Sequence, residues 1–351
     1  MTYSSRFFLY GPFCLFVALA AGVMGYWWIS ANALSQRLDA LNGHEIMPGI
    51  RFRFAAKHIA GFPFRVDAVF ADPTLEIAAA GGPLVWHGEH LATHALSYRT
   101  ALTILEAAGR QEIAWTDSRG RRRSLTFVPG ALRASAMVEH GALQQFDLRG
   151  VALGAARFAI GRAEFHLRHD PAADALDLVI DLQAVRFAGD AQSGFAHGLT
   201  QARVEGRLAP GAAFAPLLAG RSDWRAALEH WRMAPGSFKI DQAAFGWDRC
   251  QATSAGLVRL DDSHRLSGAL AFSLAHCGRP GGRAAERSPH PRDHRALQAV
   301  LADLAGRVPA DANGALPVMM VGKNGLLFLG PGRAAGTGAP FEPIGVLHAL
   351  Y

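Results

Sequence analysis

Beyond residue 43 the chain alternates apolar and polar positions with a period of two. The clearest run sets Leu176, Leu178, Ile180, Leu182 and Ala184 against Asp177, Val179, Asp181 and Gln183. Phe64, Val66, Ala68 and Phe70 alternate in the same way, and similar runs fall at 132–138, 163–167, 202–208, 238–240 and 270–274. Half-buried antiparallel strands produce this pattern, with one face on a core and the other in water. Helical spacing is confined to three stretches. Residues 31–41 place Leu34, Leu38 and Leu41 on one face and end at the C-cap sequence Asn42-Gly43. Residues 223–232 gather Trp224, Ala227, Leu228 and Trp231 behind Ser222 as candidate N-cap, and 294–308 gather Leu297, Val300, Leu301 and Leu304. The segment 277–293, rich in Pro, Gly and Arg, reads as an exposed loop or linker. No strand–helix–strand rhythm is present, so the expectation is a mainly β protein with a few packed helices.

One segment breaks the pattern. From Phe7 to Ile29 the sequence FFLYGPFCLFVALAAGVMGYWWI carries no charge. As a helix it measures about 34 Å, enough to cross a hydrocarbon core of about 30 Å. Tyr26, Trp27 and Trp28 stand at its downstream end, where amphipathic rings favour the membrane–water boundary. Arg6 precedes the run and the next positive charge is Arg37, which places the N-terminus in the cytoplasm and the rest outside. The competing reading is a signal peptide cleaved after Ala20. The apolar run continues well past that residue, so an uncleaved anchor is the expectation. The chain then divides into an anchor, 1–30, and an exported β-rich domain, 31–351.

Composition narrows the class. Half of the 351 residues are hydrophobic and only 18% are charged, which excludes disorder over the whole chain. Three cysteines cannot form a disulfide scaffold. Cys14 lies in the apolar run, while Cys250 and Cys277 are either a disulfide or two buried thiols. The net charge is +6, and all but three of the 35 basic residues are arginine. The densest basic run is Arg119, Arg121, Arg122 and Arg123, between two strand-like stretches. It is a candidate contact for anionic head groups, against the alternative of a solvated hairpin loop. No aromatic side chain interrupts it to stack on bases, so nucleic acid is not expected as a partner.

Candidate chemistry is thin. His87, His90 and His94 with Glu89 would share one face of a helix, as a zinc site requires, but the flanking alternation favours a strand that disperses them. His87-Gly88-Glu89 lacks the downstream Cys-x-x-Cys of a zinc deaminase. Residues 252–256 lack the first glycine of a nucleophile elbow, Gly322-Lys323 lacks the flanks of a phosphate loop, and Gly330-Pro331-Gly332 with Gly336 misses the dinucleotide spacing. The expectation is a protein that is not an enzyme, with no cofactor and no metal.

Ala60-Gly61-Phe62-Pro63-Phe64-Arg65-Val66, shortly after the apolar run, resembles the GFPFR signature of the domain of unknown function 2125 family. Residues 231–247 with the strand pair to Leu274, and Lys323 to Pro331, are similar to further stretches of that family. Where the family has paired glycines after the helix tryptophan, this chain has Ala234-Pro235-Gly236. The family is similar to the AsmA-like envelope proteins. That resemblance implies a bacterial inner-membrane anchor and a periplasmic domain built on a curved antiparallel sheet; the longer members of the AsmA-like group are associated with moving or organising lipid, and no activity is established for the short ones that this chain resembles. It implies no catalytic residues. Read from its residues alone, the signature is a structural corner: Gly61 permits a sharp bend, Pro63 fixes its own φ, and Phe62 is pushed towards extended geometry.

Two functions follow as expectations. In the first, apolar strand faces in excess of what the helices can cover hold phospholipid, with Phe158, Phe165, Phe187, Phe195 and Phe245 as lining residues. In the second, the protein is a non-catalytic scaffold that binds another envelope protein through exposed aromatics.

Overall fold

A computed structural model describes residues 5–79, 81–96, 99–117, 120–156, 158–187, 198–247, 249–277, 304, 306, 308–332 and 341–350. The chain opens on α1 (Ser5–Leu41), one continuous helix about 55 Å long that holds both the apolar run and the amphipathic stretch 31–41. Only its last part has a docking face: Leu34 and Leu38 pack on the sheet, whereas Phe13, Phe16 and Leu19 remain exposed.

The first strands are β1 (Glu45–Met47), β2 (Ile50–Arg53), β3 (Ala56–Ala60), β4 (Arg65–Ala71), β5 (Thr74–Ile77), β6 (Leu84–Leu96), β7 (Arg99–Thr116), β8 (Arg122–Val128) and β9 (Ala131–Glu139). Two of them are long enough to carry two neighbours along one edge. β6 pairs first with β5 and then with β4, and β7 pairs with β8 and β9. A meander follows, each strand antiparallel to the next: β10 (Ala142–Ala155), β11 (Phe158–Asp170), β12 (Ala175–Phe187), β13 (Leu199–Ala209), β14 (Ser237–Trp247), β15 (Cys250–Leu260), β16 (Leu266–Ala275), β17 (Leu316–Lys323), β18 (Leu326–Pro331) and β19 (Glu342–Val346). The fold is a mostly antiparallel β-sheet with few helices.

Between β13 and β14 the chain forms a single 3-10 turn (Gly211–Phe214), α2 (Ala215–Leu218) and α3 (Trp224–Met233). The sequence pattern places α3 correctly but misses its cap. Asp223, not Ser222, accepts the hydrogen bond from Ala226 N, at 2.8 Å, while the Ser222 hydroxyl is buried without a partner. The carboxylate wins because it also sits favourably at the positive end of the helix dipole.

Three apolar clusters make the core. Phe52, Phe54 and Phe70 meet with centroids 5.0–5.8 Å apart under the end of α1. Trp231, Phe214 and Ala227 seat α2 and α3 on Leu176, Leu208 and Phe238. Leu304 and Val308 cover Val318 and Leu329 at the far end of the sheet. Of the segment 277–293 only Cys277 is described, and the expected helix 294–308 lies outside the described residues apart from 304, 306 and 308. Cys250 opens β15 and Cys277 follows β16. Because these strands are neighbours with Gln251 opposite Ala275, the cysteines meet at a Cα–Cα distance of 4.2 Å and form a disulfide.

Candidate ligand-binding face

In antiparallel pairing, directly opposite residues project from the same face of a sheet, so the register can be followed from strand to strand. One row begins beside α1 with Ile59, Ala68, Thr93, Leu105 and Ala134 on β3, β4, β6, β7 and β9. It continues through Leu148, Phe165, Ile180, Val204 and Ala243 on β10 to β14. Ser254, Phe272, Val318 and Pro331 on β15 to β18 complete it. Only Thr93 and Ser254 in this row carry a polar side chain. At about 4.8 Å between strands, its contour length is about 60 Å.

The row is covered at its ends and open in its middle. Ala68, near α1, is 1% exposed, and Val318, below Leu304 and Val308, is also 1% exposed. Between them Leu148 is 36% exposed and Ile180 is 43% exposed. These two are the most exposed large side chains of the row. On the β16–β17 pair, towards the covered end of the row, Gly268 faces Gly322. With no side chains there, a pocket of about 160 Å³ remains, walled by Val258, Leu270, Met320 and Leu327.

The opposite face is a lattice of charges. Glu106, Arg133, Arg149, Glu164, Asp181 and Arg203 stand in one row, with Glu106 bound to Arg133 at 3.2 Å, Glu164 to Arg149 at 3.5 Å and Asp181 to Arg203 at 2.9 Å. Signs that alternate in pairs cancel across the strands, which suits a face in water. Asp147 lies in the adjacent row. Burial by itself raises its carboxyl, but His166 Nδ1 at 2.6 Å, Gln145 Nε2 at 2.7 Å and Ser135 Oγ at 3.3 Å outweigh that and hold it below 3.8. A carboxylate with a lowered folded pKa stabilises the fold above its unfolded value, and that contribution is lost as pH falls through the folded value. Asp147→Asn is therefore expected to lose less thermal stability than the parent as pH falls from the unfolded carboxylate value of about 3.9 through the lower folded one. Equal losses in a pair of melting series would contradict this.

With the geometry in place, comparison with known proteins gives one match. The family model described as "Uncharacterized protein conserved in bacteria (DUF2125)" covers residues 27–336. The chain belongs to that family. No curated protein and no solved structure matches the chain. The DUF2125 match begins at Trp27 and takes in every strand from β1 to β18, and therefore the whole apolar row.

Within this DUF2125 domain the residues singled out from sequence separate. Phe165 lies in the apolar row, and Phe245 lies one row along, paired with Ala202, beside an open pocket of about 560 Å³. Phe158 and Phe187 pair with each other at the ends of β11 and β12. Phe158 is seven residues from Phe165 in an unshifted register, which puts it and its partner Phe187 on the other face, so they are not part of the row. Phe195 and Arg119 lie outside the described residues. Arg121 and Arg123 bind Asp117 at 3.2 and 2.9 Å, and Arg122 begins β8. The turn they form follows Thr116, eleven residues along β7 from Leu105, or about 35 Å from the row. His87, Glu89 and His94 sit on strand β6 with separate partners: Thr74 Oγ1 at 3.2 Å, Arg110 N at 2.9 Å and Asp67 Oδ1 at 3.0 Å. The exposed members of the row, Leu148 and Ile180, are aliphatic. Ile180 belongs to the 176–184 alternation, which marks its face but not its exposure.

Proposed function

We propose that this DUF2125 protein is a non-catalytic, membrane-anchored protein of the bacterial envelope that holds lipid along the apolar row of an exported sheet. The observation that carries the reading is a row across fourteen strands, apolar except at Thr93 and Ser254, closed at both ends and open at Leu148 and Ile180. A row at right angles to the strands gives an extended chain a continuous apolar track, while the charged face stays in water. Its β3–β4 end lies against α1, a helix long and apolar enough to cross a membrane. The Cys250–Cys277 disulfide fits an oxidising compartment such as the periplasm. The inner membrane as the site of the anchor, the outward orientation and the likeness to AsmA-like proteins belong to the same reading.

A photoreactive residue tests it. Installed at Ile180, it is expected to crosslink to phospholipid in the cell envelope. At Leu257, which is equally apolar, 38% exposed and on the opposite face, it is expected not to. Equal lipid adducts at both positions, or none at Ile180, would contradict the reading. A scaffold role has one observation in its favour: Leu102 and Ile104 are exposed side by side on β7, on the face that carries Glu106 and Arg133. Protein adducts at Ile104 without lipid adducts at Ile180 would favour it.

A further inference from the structure

The Gly61–Arg65 turn joins β3 to β4 beside the end of the apolar helix run. Gly61 has φ +95°, and a Cβ there would lie 2.8 Å from Arg65 O, so the backbone closes as tightly as it does only with glycine. Arg65 N donates to Gly61 O at 2.9 Å. Behind the turn, Arg65 Nη2 binds Asp67 Oδ2 at 2.6 Å, and the buried Asp67 meets His94 Nδ1 at 3.0 Å. These contacts brace the turn from within. What it presents outward is apolar: Phe62 is 53% exposed and Phe64 is 63% exposed.

The turn is also fixed to α1. Trp27 Nε1 donates to Arg65 O at 2.7 Å, and the Trp27 and Phe62 rings meet edge-to-face with centroids 5.4 Å apart. Trp27 lies two residues before the end of the uncharged run, at the level where indole rings favour the membrane boundary. A ring in contact with Trp27 sits at the same depth. Two exposed phenylalanines on a braced turn would be unfavourable in water and favourable there.

We propose that the Gly61–Arg65 turn is a membrane-surface contact, in which Phe62 and Phe64 enter the head-group region of the bilayer that α1 crosses. It rests on the reading of α1 as a membrane span. The consequence is mechanical: α1 runs without a break into the sheet, and a second contact beside it sets the β3–β4 end of the apolar row against the lipid surface.

The test uses the full chain carrying Cys14→Ser, in nanodiscs of phosphatidylcholine and phosphatidylglycerol. A nitroxide is placed in turn at Phe64→Cys, Val17→Cys within the helix run, and Val346→Cys on β19. The readout is the ratio of collisions with oxygen to collisions with a water-soluble nickel chelate. The label at position 64 is expected to exceed the one at 346 severalfold and to fall below the one at 17. A label at 64 matching the one at 346, with 17 still high, overturns the turn contact alone. A label at 17 that also matches 346 overturns the membrane span, and the turn contact with it. If Phe64→Cys does not fold, Phe62→Cys takes its place.

Discussion

Trp231→Ala is expected to lower the unfolding free energy by about 3–5 kcal/mol, the range for removing a large buried aromatic side chain. Trp231 is 3% exposed, packs on Phe214 at 6.3 Å and donates through Nε1 to Ala209 O at 3.0 Å. The substitution leaves a cavity under α3 and a carbonyl without its donor. Polar ties also join α3 to the rest of the molecule, among them Trp224 Nε1 to Ala78 O at 2.9 Å, Arg232 to Asp262 at 2.8 Å and Glu229 Oε2 with His264 Nε2 at 3.2 Å, but they are solvent-accessible and do not replace a packed core. Trp231→Phe, which keeps part of the ring volume and loses the hydrogen bond, is expected to cost less than Trp231→Ala. Denaturant midpoints at constant slope check both. A loss below about 1 kcal/mol for the alanine variant would mean that α3 is not seated on the sheet as described.

The double substitution Leu148→Asp, Ile180→Asp is expected to remove bound phospholipid while leaving the fold intact. Both side chains are more than a third exposed, so a carboxylate at either position reaches water and the cost to stability is small. For an acyl chain lying along the row the same carboxylates are prohibitive, because burying an unpaired charge against hydrocarbon costs several kcal/mol. Recovery of phospholipid with the purified variant should fall to background, with an unchanged far-ultraviolet spectrum. A folded variant that keeps its lipid would place the lipid elsewhere.

Much of this architecture was legible in the chain. Strands at 132–138, 176–184 and 202–208 were readable because alternation is a local property, set by which face of a strand meets water. The α3 helix was readable from Trp224, Ala227, Leu228 and Trp231 for the same reason. What depended on pairing was not readable. Nothing local says that Gln251 lies opposite Ala275, so the disulfide stayed open. Nor does anything local align Leu148 with Phe165 and Ile180, which is what turns separate strand faces into one row. Phe158 and its partner Phe187 fall on the other face, because an odd separation from Phe165 reverses the side chain along a strand. The Gly61–Arg65 segment was legible as a corner. Its contact with Trp27 was not, because 38 residues separate Trp27 from Arg65.

The most direct measurement of the central claim is the lipid content of the protein itself. A chain beginning at Ala31 keeps Leu34 and Leu38 for the core and lacks the exposed apolar run. Exported, purified without detergent and examined by mass spectrometry, it should carry phospholipid in stoichiometric amount. Well-folded protein free of lipid would contradict the account.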